Sequence, residues 1–151
     1  MFLTPHAAVG AAIATSLTGN PFVAFVIGWF SHYLADSVPH GDERLGIWAS
    51  KRNEVKRLLG ITIIDSIVWI SVLAYVFLSL GFSWVILLAA LGSSVPDVMW
   101  GIEKVVNKDI FGPLQKFHRW NHNFFRINLP LWTGLVVQGI VTAVMWVAIL
   151  T

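Results

Sequence analysis

The sequence predicts an all-α integral membrane bundle of about five helical segments, and three observations carry that expectation. Hydrophobic residues make up 56% of the 151 and charged residues only 12%, against roughly a quarter charged in ordinary soluble domains. Long apolar runs follow one another, as in ITIIDSIVWISVLAYVFLSL at residues 61–80. All ten Lys and Arg residues lie in or beside two polar connections. The length allows one transmembrane domain, residues 1–151, and no second one.

The first segment, residues 5–18, is PHAAVGAAIATSLT, small and apolar. Asn20-Pro21 then breaks and restarts the helix, with Asn as N-cap and Pro in the first turn. A second segment runs from Pro21 to about Ser37. Both are shorter than the ~20 residues that cross a bilayer comfortably, so a tight hairpin shielded by the other helices is the arrangement that suits them. A polar, basic loop from Pro39 to about Arg57 follows, and KRNEVKRLLG begins a third helix that continues to residue 80. Gly81-Phe82-Ser83 turns the chain into a fourth helix, expected from about Trp84 to Val95. Residues 96–117 form a second polar connection with room for a short interfacial helix. The fifth segment starts at about His118 or Asn123, has Pro130 near its beginning and runs to Leu150.

Several classes are excluded or disfavoured. With no cysteine there are no disulfides or thiolate metal sites. A net charge of +2 without a basic, aromatic-interleaved patch gives no reason to expect nucleic acid as a partner. MFLTPHAAVG has no basic n-region, so an N-terminal signal peptide is not expected.

The positive-inside rule puts both basic connections in the cytoplasm, hence the N-terminus inside and the C-terminus outside a plasma or inner membrane. The same parity brings all five histidines, His6, His32, His40, His118 and His122, to one membrane side together with Asp36, Asp42, Asp65 and Asp97. Helix-end polar residues scattered at random would appear on both faces. His32 and Asp36 are four apart, on one helix face with Cβ atoms about 5–6 Å apart, from which both can reach one ion at the ~2.0–2.2 Å that zinc requires. His118 and His122 in HRWNH repeat the spacing. Pro39 disfavours helix at Val38, leaving His40 and Asp42 on a loop able to fold back over the helix end. Asp65 interrupts an apolar helix, where an ionisable residue ordinarily faces a partner or cavity.

Each of these residues also has a plainer reading. His32–Asp36 is equally a hydrogen-bonded pair at a helix end, HRWNH an interfacial belt, His6 a helix cap, and Asp65 a neutral acid bonded within the bundle. Glu103 and Asp109 are expected to be solvated charges, and the eight Trp residues packing and interfacial anchors.

SHYLAD followed by PHGD, VPD at 95–97, the N-terminal PHAAVG and the late HRWNH together resemble the LexA-regulated membrane-bound metal-dependent hydrolases and, more distantly, the zinc-dependent phospholipase C fold. The resemblance implies metal ligation by His6, His32, Asp36, Asp97, His118 and His122. The motif order differs, since SHYLAD precedes VPD. VPDVMW lacks the second Asp and the His of a PDxDH motif, and HRWNHN lacks the Thr and Ser of HRGxTHS.

The residues and the resemblance together lead to an expected function. A divalent metal, zinc or alternatively manganese, is held by His6, His32, Asp36, His40, Asp65, Asp97, His118 and His122 at the cytoplasmic membrane boundary. Asp42 or Asp97 serves as general base in hydrolysis of a lipid-like or membrane-borne ester or phosphoester, with membrane lipid as the surrounding partner. The competing classes are a non-catalytic metal- or haem-binding membrane protein and a small ion- or proton-coupled transporter.

Overall fold

The computed structural model describes residues 1–41, 51–122, 124 and 129–151, with side chains from residue 55 onward in the third helix. Among these residues the chain forms six helices and no strand: α1 (Leu3–Leu17), α2 (Pro21–Asp36), α3 (Lys51–Leu80), α4 (Trp84–Val106), α5 (Pro113–His122) and α6 (Leu131–Leu150). Three stretches are long and apolar enough to cross a membrane, Val55–Leu80, Trp84–Val106 and Leu131–Leu150.

The start of α2 follows from its first residues. Asn20 Oδ1 accepts from the N–H groups of Phe22 and Val23 at 2.9 and 3.3 Å, and Pro21 occupies the first helical position, where no N–H is needed. With 15 and 16 residues, α1 and α2 are about 22–24 Å long, short of the ~30 Å hydrocarbon core of a bilayer. They pair as a hairpin.

Helix α1 is the centre of the bundle and packs against α2, α3, α4 and α6. Small side chains allow this. Ala7, Ala8, Ala11 and Ala14 are all buried, and the main core cluster joins three of them to Leu73 and Val76 of α3, Ile86 and Ala90 of α4, and Trp146 of α6. The α2–α4 crossing is closer still. A Cβ added to Gly28 would lie 2.1 Å from the Ala89 carbonyl oxygen, and one added to Gly92 would lie 2.2 Å from that of Phe25. Two backbones in reciprocal contact hold α2 and α4 together by close van der Waals packing, as small residues do where helices meet.

The outer surface inverts the soluble pattern. Phe22, Phe30, Ile64, Leu78 and Trp132 are each at least 66% exposed, far more contiguous apolar surface than soluble monomers leave bare.

The fourth and fifth expected segments differ from the structure. Helix α4 does not stop at Val95; it continues through Pro96 to Val106. Proline deletes one N–H and crowds the carbonyl four residues back, but Val98, Ile102 and Val105 prolong the apolar stripe at helical spacing. Asn107, in the left-handed region at φ 55°, ends the helix. Glu103 is buried rather than solvated: its Oε1 accepts from Ile110 N–H at 2.9 Å and Phe111 N–H at 2.7 Å, closing the turn that leads to α5. His118 and His122 therefore sit on a helix of their own, and the last span begins only at Leu131, after Pro130.

Gly28→Ala and Gly92→Ala should each force α2 from α4 and cost about 1–3 kcal/mol, the usual penalty of overpacking. Ala12→Ser, on the partly exposed side of α1, should be near neutral. Thermal unfolding in detergent would show a downward shift for the two glycine variants alone.

Candidate metal centre

The N-terminus of α1, the C-terminus of α2, the C-terminal half of α4, and α5 meet at one end of the bundle. Five segments supply the polar groups: His6 from α1, His32 and Asp36 from α2, His40 from the turn after it, Asp97 from α4, and His118 and His122 from α5. All five histidines of the chain are thus drawn together.

Asp36 is at the middle. Its Oδ2 lies 3.0 Å from His32 Nε2 and 3.1 Å from His118 Nε2; its Oδ1 lies 3.1 Å from His6 Nε2 and 3.9 Å from His40 Nε2. The α-amino group of Met1 is 2.6 Å from the same Oδ1 and 2.9 Å from His40 Nε2. Asp97 closes the far side, 3.6 Å from both His6 Nε2 and His118 Nε2 and 3.9 Å from His32 Nε2. Ligands ~2.1 Å from a tetrahedral ion stand about 3.4 Å apart, within the range of these separations. Two groups of donors fall within reach of a common point, His6–His32–Asp36–Asp97 and Asp36–His40–His122, with Asp36 common to both.

The outer nitrogens show which atoms are free to ligate. His32 Nδ1 is 2.8 Å from the Ser93 carbonyl and His40 Nδ1 is 2.6 Å from the Val38 carbonyl. A carbonyl only accepts, so both Nδ1 atoms carry hydrogen and donate. In the neutral ring each Nε2 is then an acceptor, which at His40 the α-amino group of Met1 approaches at 2.9 Å. His118 Nδ1 donates at 3.3 Å to Gln115 Oε1, whose amide is oriented by Nε2 donating to the Pro96 carbonyl at 3.3 Å. Yet His32 Nε2 and His118 Nε2 are 3.2 Å apart, and His40 Nε2 and His122 Nε2 are 3.1 Å apart. At His32 the Nε2 lone pair thus faces a carboxylate oxygen at 3.0 Å and an imidazole nitrogen at 3.2 Å, an arrangement that a cation among them would satisfy. His6 adds a second sign, since its buried Nδ1 has no hydrogen-bond partner among the described residues and its Nε2 meets only carboxylate oxygens, of Asp36 at 3.1 Å and Asp97 at 3.6 Å, and the other imidazoles of the cluster. The donor set fits a divalent cation, with backbone and amide acceptors behind the imidazoles as metal-binding histidines ordinarily have.

One side is open. The side chains of His6, His32 and Asp36 have no exposure, whereas Asp97 keeps 22%.

One expected residue stands elsewhere, and another lies outside the described residues. The carboxylate of Asp65, expected among the ligands, receives the N–H of Leu3 and the hydroxyl and N–H of Thr4 at the start of α1. A carboxylate at a helix N-terminus satisfies its free donors and opposes its dipole, so Asp65 anchors the helix that carries His6 and does not face the cluster. Asp42, one of two expected general bases, lies outside the described residues.

Several supporting residues went unseen in the sequence. Gln138, buried in α6, accepts from Phe2 N–H at 2.9 Å and donates to the His40 carbonyl at 2.8 Å. Asn121 donates to the Tyr33 carbonyl at 2.7 Å, fixing α5 to α2. A lone Gln in the apolar run LWTGLVVQGIVTAV is a readable signal for Gln138. Nothing marks Gln115 and Asn121 beyond their helical register with His118 and His122.

Comparison with family models, with curated proteins and with solved structures finds no match to this chain.

Gln115→Leu keeps the volume and removes the acceptor behind His118. It should lower affinity for Zn2+ by about 10–100-fold, the usual cost of losing such a partner, while the helical content stays at the wild-type level. Competition against a chromophoric chelator measures the first, and far-UV circular dichroism the second.

Proposed function

We propose that the protein is a membrane-embedded, metal-dependent hydrolase whose centre would hold two divalent ions, with Asp36 among the residues of both candidate groups. The observation that carries this reading is the convergence of imidazole Nε2 atoms, in pairs 3.1 and 3.2 Å apart, on one buried carboxylate. The resemblance of SHYLAD, VPD and HRWNH to motifs of the hydrolase family adds support, because the residues it nominates are among those that the fold gathers.

Zinc, or manganese in so mixed a donor set, would supply Lewis acidity and bring a water to ionise near neutral pH. His6, His32, Asp36 and His118 would hold the first ion, and His40, His122 and the other oxygen of Asp36 the second. Asp97 stands 3.6–3.9 Å from its histidine neighbours and, at 22% exposure, is the open member of the group it forms with His6, His32 and Asp36, which suits a general base. In hydrolysis of an ester or phosphoester it takes the proton of the attacking water and returns it to the leaving oxygen as that bond breaks.

Membrane residence is supported by the three long apolar helices and the bare apolar surface. The sequence places all ten Lys and Arg residues in or beside the two polar stretches that also carry His40, His118 and His122, which supports a cytoplasmic orientation for that end by the positive-inside rule. A haem reading lacks support, since Nε2 atoms 3.1–3.2 Å apart leave no space for a porphyrin plane between them. A proton relay through Asp65 lacks it as well, because that carboxylate is engaged at α1.

Metal analysis of detergent-purified protein should find two equivalents of zinc or manganese per chain, about one in His122→Ala, and little in a His32→Ala, Asp36→Ala double variant. Trace, equal metal in all three would refute the centre. Asp97→Asn should keep most of the metal and slow turnover of a chromogenic ester or phosphoester by roughly 10²–10⁴-fold, the range for loss of a general base.

A further inference from the structure

A cavity of about 680 Å³ opens beside the cluster. Its walls include Leu58 and Thr62 of α3 and Trp100, Gly101 and Val105 of α4, and it reaches Asp97, His118 and His122. The position follows from helix lengths. α3 meets the start of α1 at Asp65, and the ten residues of α3 from Val55 to Ile64 continue past it, about 15 Å of helix. The nine residues of α4 after Asp97 do the same, about 14 Å. The two projecting helices leave an apolar cleft between them with the metal ligands at one end. Two cations, Lys104 and Arg119, also line it, and the Lys104 ammonium lies 5.5 Å from the centre of the Trp100 ring.

From this juxtaposition we infer that the cleft takes the hydrocarbon chain of a single-chain lipid phosphate, with the phosphate held at the Asp97 side of the cluster by Arg119 and Lys104. Volume selects one chain. If a methylene takes roughly the ~30 Å³ of a water in the liquid, sixteen of them occupy about 480 Å³; that leaves space for a phosphate and none for a second chain. Charge selects the head group, since a guanidinium and an ammonium beside a cation-binding cluster complement a dianion and have nothing to pair with in a neutral ester. The fate of the phosphate rests on the hydrolase reading; the binding does not. On that reading a water oxygen bonds to phosphorus, the bond from phosphorus to the alkyl oxygen breaks, and Asp97 carries the water's proton to the departing alkoxide. The products are a long-chain alcohol and inorganic phosphate.

Gly101 provides the test, because a Cβ there meets nothing within 4 Å, so larger side chains grow into the cleft without disturbing the bundle. Hexadecyl phosphate, hexadecanol and inorganic phosphate are the probes, offered to zinc-loaded protein and read by native mass spectrometry together with phosphate release. Wild type should bind hexadecyl phosphate at least tenfold more tightly than either other probe. Gly101→Leu and Gly101→Phe should weaken that binding progressively, tenfold or more for Phe, with bound zinc unchanged. A Lys104→Gln, Arg119→Gln variant should bring hexadecyl phosphate down to the level of hexadecanol. Equal binding of hexadecyl phosphate by wild type and Gly101→Phe would overturn the inference, as would a preference for hexadecanol. Binding that Gly101→Phe abolishes, with no phosphate released by any form, would leave the cleft assigned and remove the hydrolase reading instead.

Discussion

The rest of this structure depends on a place for one buried carboxylate. Asp36 is almost fully enclosed in an apolar bundle, and an isolated ion there would cost many kcal/mol. Its oxygens face four imidazoles, from α1, α2, the turn after α2 and α5. No two neighbouring residues could supply that set, so satisfying Asp36 also fixes how those four segments meet. A centre of this kind is a constraint on topology before it is a site of chemistry.

Meeting the constraint requires backbones to come unusually near one another. α1 carries alanine and glycine where a larger residue would separate its neighbours, and α2 touches α4 through Gly28 and Gly92. Polar contacts do the remaining alignment. Asp65 locates the start of α1 from α3, and Gln138 locates Phe2 and His40 from α6. In an apolar surrounding such bonds have little competition from solvent, so a few of them suffice to set register where burial of apolar area does not discriminate.

Much of this was legible in the sequence, and the reasons are physical. Asn20-Pro21 is a local signal, and the local geometry honours it. His32 and Asp36 could be paired because four residues make one turn of helix. The one-sided distribution of histidine and carboxylate followed from counting crossings. What was not legible needed three dimensions. Pro96 reads as a stop, yet tertiary packing carries α4 through it, and this separates α5 from the last span. Glu103 reads as solvated because nothing local shows that the backbone will return over it. Asp65 looked like a ligand because its depth matched the cluster; only the fold reveals that the start of α1 intervenes.

Helix α5 shows how the two demands on the chain are reconciled. Its buried face carries Gln115, His118 and Asn121, while Phe117 and Trp120 project from the other, where they and Phe124 form a succession of ring contacts at 5.6 and 5.2 Å. Ten residues are too few for an isolated helix to be stable in water, so the free energy that holds it comes from its surroundings. Protein contacts act on one face, and the aromatic stripe is suited to the membrane–water interface on the other. Ion binding at His118 and His122 would add to the same balance, since binding energy to a partly formed site is also folding energy for the element that completes it. The same helix therefore carries two imidazoles of the candidate centre together with an exposed aromatic stripe.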